Sequence, residues 1–397
     1  MELALLPWAT LLAGEAAPAD TATIERALAA DQAAQSAPKA TEQPPPSAPR
    51  SMNPDLPLIL DVAGAYFSER HNLQAGAHDP TETGFNLQQL ELAASAAVDP
   101  YLKFNGALVF DLSGVELEEA YGTTLDLPWR LQARFGQFLH RFGRINSTHP
   151  HTWDFADQPL ALSRAFGGDG GRGLGVELSW LSPLPWYVEL VGSAQNASGG
   201  ETARSFLGDH SRTIRALDDF LYVAALKQFF ALSDDWSLLW GLSSATGPNP
   251  SGRRHYTDIF GTDLYLKFRP ITEQSFTIVS LQTEWLYRRR QVTGDLLQDI
   301  SGYAQVFWNF TQRWGAAVRY EYGSPAWDLE RRVGHDPLEP ALVGHRHRTS
   351  SSVTHWPTEF SRFRLQVSRD SPGSSRGVWA GFLTAELVTG AHGAHTF

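Results

Sequence analysis

Histidine and arginine are the residues through which this chain is best equipped for chemistry. It has 13 His, most of them in polar stretches between hydrophobic segments, among them His71, His78, His140, His210, His255 and His335. Two pairs, His149/His151 and His345/His347, have i, i+2 spacing, which puts both imidazoles on one side of an extended chain. Asp79, Asp154, Asp157 and Asp336 also lie in such stretches, so these pairs suit transient capture of Zn²⁺, which favours nitrogen with some oxygen. With 0 Cys there is no thiolate site. Ser211 beside His210 and Ser351 near His347 lack any surrounding nucleophile motif. The run Gly167-Gly-Asp-Gly-Gly171 is not followed by the Lys-Ser/Thr of a phosphate-binding loop. No catalytic residue and no required cofactor are expected.

The arginines alternate with apolar residues. Arg130, Gln132 and Arg134 interleave with Leu131, Ala133 and Phe135, and Arg362, Arg364 and Gln366 interleave with Phe363, Leu365 and Val367. Gln282, Glu284, Arg288 and Arg290, the pair Arg319 and Glu321, and Lys103 repeat the pattern. Period two places the two sets on opposite faces of a strand. One face would meet lipid, and the other, with Glu177, would line an aqueous lumen. Such a lumen focuses anions if its arginines are free. It is a solvated wall network if they pair with Glu177, Glu284 and Glu321. Both readings stay open here.

The elements that position these residues are strands. Short junctions deliver an aromatic ring to the next segment at Tyr101, Trp129, Trp186, Trp236, Trp314 and Phe360, as at the rim of a transmembrane barrel. The spans read Leu58 to Phe67, Phe85 to Ala97, Leu102 to Leu112, Val115 to Leu125, Arg130 to Leu139, Gly173 to Leu181, Tyr187 to Ala194 and Arg215 to Ala231. They continue as Ser237 to Ala245, Tyr256 to Phe268, Phe276 to Arg289, Ile300 to Phe310, Ala316 to Tyr322, His347 to Thr354, Phe363 to Ser368 and Val378 to Val388. That even number of strands, about 16, lets an all-β antiparallel barrel close without an edge. Long connections, including 68 to 84, 140 to 172, 195 to 214, 290 to 299 and 323 to 346, would face outward, with short turns and both termini in the periplasm. The 140 to 172 stretch is expected to fold inward as a constriction, led by Trp153, Asp154, Phe155 and Asp157.

Composition agrees with this reading. Apolar residues make up 42% and charged residues 19%, and no run after residue 50 reaches the ~20 apolar residues of a helical span. The net charge of -11 argues against nucleic acid as a partner. Leu3 to Ala13 has the apolar core of an export signal within residues 1–19, though no Lys or Arg precedes it. Residues 20–53 read as an Ala/Pro-rich periplasmic linker or a short helix over Thr21 to Ala34, followed by the barrel at 54–397. The terminal Phe397 is the kind of residue that barrel-assembly machinery reads, and His392 and His395 lie beside it.

One segment carries a family resemblance. Leu131-Gln-Ala-Arg-Phe-Gly-Gln-Phe-Leu-His-Arg-Phe-Gly-Arg144 resembles the Gly-Gln-Phe then Phe-Gly strand of the phosphate-selective porin superfamily. With Ile145 to Leu160, Asp79 to Leu92, Thr358 to Gln366 and Gly390 to Phe397, the chain is similar to a bacterial group labelled zinc-regulated TonB-dependent outer-membrane receptors. A receptor of that type needs a twenty-two-strand barrel and a plug domain, which this length cannot hold, so the plug is expected to be absent. The resemblance implies an outer-membrane porin-like channel for small solutes, either small anions or solutes linked to zinc acquisition. It is also compatible with a homotrimer. The alternative is a barrel that captures metal without general pore activity.

Overall fold

The computed structural model describes residues 54–271, 276–338, 344–373 and 376–390. The expected signal, the linker with its helix, and His392, His395 and Phe397 lie outside the described residues. The strands are β1 (Leu58–Phe67), β2 (Gly84–Ala97), β3 (Leu102–Phe110), β4 (Val115–Thr124), β5 (Leu131–Leu139), β6 (Arg172–Leu181), β7 (Tyr187–Asn196) and β8 (Phe220–Ala231). They continue as β9 (Trp236–Pro248), β10 (Tyr256–Phe268), β11 (Ile278–Val292), β12 (Asp295–Thr311), β13 (Trp314–Gly323), β14 (Arg346–Thr358), β15 (Ser361–Pro372) and β16 (Val378–Thr389). Each pairs with its sequence neighbour, and β1 pairs antiparallel with β16 from Leu58↔Thr389 to Phe67↔Ala380, closing the barrel.

Period-two patterning decides which face is which. On the last strands Leu365 and Leu383 are 57% and 60% exposed, while Gln366 and Glu321 are 0% exposed on inner faces. Apolar side chains therefore cover the outside and polar ones the inside, the reverse of a fold built around an apolar centre. Exposed rings mark both ends of this outer surface: Tyr101, Trp129, Trp186, Trp236 and Trp314 at the end where β1 begins and β16 ends, and Tyr66, Phe85, Tyr320 and Trp379 at the other.

Strand ends shift by a few residues along much of the barrel, and the largest shifts fall at two places. Arg215 to Asp219 is not strand: the Asp219 carboxylate accepts the backbone N–H of Arg215 at 2.9 Å and of Ala216 at 3.2 Å, and the chain turns before entering β8. Residues 290–299 are not a long loop either. β11 and β12 run on to Val292↔Asp295 around a two-residue turn with Gly294 at φ 79°. Beyond the apolar belt, neighbouring polar residues such as Arg290 with Gln291 and Gln298 with Asp299 break the alternation, although the ladder continues.

The interior is filled from the end where β1 ends and β16 begins. The 140–171 connection enters the barrel and carries a six-residue helix, α1 (Leu160–Ala165), that the sequence pattern did not suggest. Phe142, Ile145, Leu162 and Phe166 of this segment pack with Phe206, Leu221, Ile259 and Leu286 into an apolar core against β8–β11. Gly167 sits at φ 121°, where an added Cβ would lie 2.0 Å from the Glu201 carbonyl oxygen, so only glycine lets the two connections meet.

Candidate functional site

The site is the 140–171 segment and the wall residues that grip it. On one side its anchors are guanidinium groups. Asp157, fully buried, lies 2.5 Å from Arg319 and 3.2 Å from Arg348, and accepts a hydrogen bond from Gln366 at 2.7 Å. Arg348 also ion-pairs with Glu321 and donates to the Gln158 carbonyl at 2.6 Å. Glu321 in turn accepts the Leu160 N–H at 2.7 Å. Arg364 donates to the Trp153 carbonyl at 2.6 Å, Gln305 donates to Asp154 at 2.9 Å, and the Arg319 guanidinium stands 4.3 Å over the Phe155 ring. Burial works to raise the Asp157 pKa, but Arg319 and Arg348 outweigh it and hold the carboxyl below its usual range. Charged hydrogen bonds of this kind are the strong ones, and leaving one buried partner unpaired is costly.

On the other side the anchors are carboxylates. His149 Nε2 lies 3.1 Å from Glu119 Oε2, and its Nδ1 faces Glu118 Oε2 at 3.2 Å and Glu91 Oε1 at 3.7 Å. His151 stacks on His149 at 5.7 Å between centroids and meets Glu91 Oε2 at 3.2 Å. Two consecutive glutamates reach the interior because β4 has a bulge: Ala107 pairs with Glu119 and Leu108 with Leu117, so Glu118 is the extra residue. Further along, β4 and β5 pair only from Ala120↔Gln137 to Thr123↔Arg134, and the Leu139 N–H is satisfied by Glu119 Oε1 at 2.9 Å instead of by a ladder bond. Burial works to lower the His149 pKa, but Glu91, Glu118 and Glu119 outweigh it, leaving the ring well above its ordinary value. His140, buried against Phe166 with no carboxylate beside it, is pushed by burial down to about 3 and stays neutral.

Two clefts lie near β3–β7. A cleft of about 580 Å³ is lined by Glu116, Gln137, Asp169 and Arg172 among others, and a second of about 340 Å³ by Lys103, Asn105, Tyr121, Arg134 and Arg141. At the second cleft Arg134 meets Glu177 at 2.9 Å, and Arg141 bridges Glu177 at 2.9 Å and Glu189 at 2.7 Å.

Comparison with other proteins adds the lineage. No model of a known protein family matches the chain. An uncharacterized protein of Aquifex aeolicus is 30% identical over 89% of this chain and 81% of its own length. The chain belongs to the family of that protein. Among solved structures, this family member is similar to the anion-selective porin from Comamonas acidovorans, with TM-score 0.54 and 10% identity over 85% of this chain and 99% of that one. It is also similar to the outer membrane channel DcaP of Acinetobacter baumannii, with TM-score 0.53 and 11% identity over 85% and 97%. The outer membrane protein OmpT of Vibrio cholerae in its trimer form gives TM-score 0.53 and 8% identity over 85% and 99%. The fold is therefore a porin-like barrel.

Most residues that the sequence offered for the lumen sit on inner faces of this family member. Glu177, Glu284, Arg288, Arg290, Arg319, Glu321 and Arg364 are buried there, with Arg362 paired to Glu386 and Arg288 to Asp299 and Asp336. Glu284 has a different role from the arginine partner considered above: it accepts the Ile145 N–H at 2.8 Å and the Tyr303 hydroxyl at 2.7 Å. Arg130 is not on an inner strand face but in the turn Pro128–Arg130, at φ 61° and exposed.

The two histidine pairs part company. His345 and His347 share hydrogen bonds at 2.7 Å with the hydroxyls of Tyr322 and Tyr320 on the outer surface, with no ion pair to a carboxylate among the described residues. Among the described residues, Glu91, Glu118 and His149 form the one group with metal-holding geometry. Sequence reading missed Glu91, Glu118 and Glu119, since strict alternation puts Glu118 and Glu119 on opposite faces. The acidic run in Val115-Glu-Leu-Glu-Glu119 was the available signal.

Proposed function

We propose that this chain is a porin-like channel of the bacterial outer membrane that passes small solutes around a fixed in-folded segment. The observation that carries the reading is the closed barrel with an apolar outer surface between aromatic rims and a polar interior crossed by residues 140–171. An outer surface of exposed Leu, Val and Trp is stable against hydrocarbon and not against water. The inner arginines act as scaffold for the segment instead of as a free anion-focusing field, because they are paired with Asp157, Glu177, Glu321 and Glu386. Solute passes on the β3–β7 side, where the two clefts lie. By analogy with the trimer form of the Vibrio barrel, three copies assemble.

Planar-bilayer recording with the folded, detergent-purified protein tests this. Small stepwise conductance increments are expected, and a reversal potential near zero in a KCl gradient would agree with a wall of paired charges. Bilayers that stay closed at every voltage and salt concentration would overturn the channel reading. A second reading, metal capture without general conduction, is favoured by the His149 carboxylate cage and predicts closed bilayers with metal binding intact.

A further inference from the structure

We propose that Glu91, Glu118 and His149 bind a divalent transition-metal ion where the in-folded segment meets β2 and β4. His149 Nδ1 and Glu118 Oε2, both buried atoms, lie 3.2 Å apart, and Glu91 Oε1 is 3.7 Å from the same nitrogen. Ligands about 2.1 Å from a tetrahedral ion lie roughly 3.4 Å from one another, so these separations fit an ion between the three atoms. The other atoms of the ligands are already oriented. Glu119 holds His149 Nε2 at 3.1 Å, the carboxylate–histidine arrangement that leaves Nδ1 free to ligate, and His151 holds the second Glu91 oxygen at 3.2 Å.

Charge points the same way. Glu91, Glu118, Glu119, Glu116 and Asp169 converge here with the Arg172 guanidinium and the imidazoles of His78, His149 and His151. The bulge that brings Glu118 inward interrupts the β3–β4 ladder, and the cleft lined by Glu116, Asp169 and Arg172 gives an ion an entry path. Nitrogen with two carboxylates suits Zn²⁺ or Co²⁺ better than Ca²⁺ or Mg²⁺, which take oxygen alone. The site stands apart from conduction, since it needs only the folded barrel.

The test uses the tag-free full chain, folded in detergent and stripped with chelator, with heat-modifiable gel migration confirming that each variant is folded. Equilibrium dialysis against Zn²⁺ is read by elemental analysis, and Co²⁺ is read by its visible absorption. One ion per barrel is expected, with a tetrahedral Co²⁺ spectrum. Affinity should fall by roughly tenfold or more in His149→Ala and in Glu118→Gln, and stay unchanged in the His345→Ala/His347→Ala double variant. Absence of stoichiometric binding in the parent chain, or equal binding in folded His149→Ala and Glu118→Gln, would overturn the site. Neither result bears on whether bilayers conduct.

Discussion

Residues 153–160 of the in-folded segment meet arginines on β13–β15, whereas residues 149–151, a few positions earlier, meet carboxylates on β2 and β4. The first contact keeps its charge around neutral pH, because a guanidinium holds its proton there and the Asp157 carboxyl is held below its usual range by Arg319 and Arg348. The second rests on imidazole, whose ring nitrogens can hold either a proton or a metal ion. One strip of backbone thus has a permanent anchor and an adjustable one.

Breaking the permanent anchor should have the largest effect. Asp157→Asn leaves Arg319 and Arg348 buried with only Glu321 to share, a loss of about 3–5 kcal/mol by comparison with other broken buried pairs. The segment should detach from β13–β15, seen as tryptic cleavage at the otherwise buried Arg164 and a conductance raised roughly twofold. Conductance equal to that of the parent chain would mean that the segment does not limit the pore.

His149→Ala comes next. It removes charged contacts worth roughly 1.5–3 kcal/mol each at most, but Asp157 still holds the segment, so conductance should change less than in Asp157→Asn. A larger change would reverse the assignment of the two anchors.

A third test concerns Asp79, whose carboxylate accepts the Gly76 N–H at 2.9 Å and the Gln158 N–H at 2.7 Å and so ties the 68–83 connection to the segment. Burial, helped by the Asp157 charge, raises its pKa from 3.8 to about 6. A carboxyl raised on folding contributes stability that is complete below its unfolded value and is lost as pH rises through about 6. Hydrogen-exchange protection at the Gly76 and Gln158 amides, corrected for intrinsic rates, should fall across that range. Protection that is flat or rises with pH would contradict the direction of the shift.

The smallest effect is expected from His345→Ala/His347→Ala, within about 0.5 kcal/mol of the parent chain and without change in conductance. These rings face outward on Tyr320 and Tyr322, so a measurable loss of conduction would show that spacing, and not the carboxylates, makes a histidine pair functional.

How much of this was legible beforehand follows from which forces are local. Alternation reported every strand within the apolar belt, as on β15, where Phe363, Leu365 and Val367 face out and Arg364 and Gln366 face in. Each position there answers only to what touches its own face. The pattern failed where a strand left the belt, as at Val292↔Asp295, and where a bulge shifted the phase, as at Glu118.

The sequence by itself determined a closed antiparallel barrel of even strand number and the identity of the segment that folds into it, because period two and connection length are properties of neighbouring residues. Only the tertiary structure decided that Asp157 would meet Arg319 and Arg348, and that His149 would meet Glu91, Glu118 and Glu119 while His345 and His347 met tyrosines. Those partners are brought together across the width of the barrel. Which pairs form depends on strand register, one bulge and the path of a single connection, and none of these is written in local spacing.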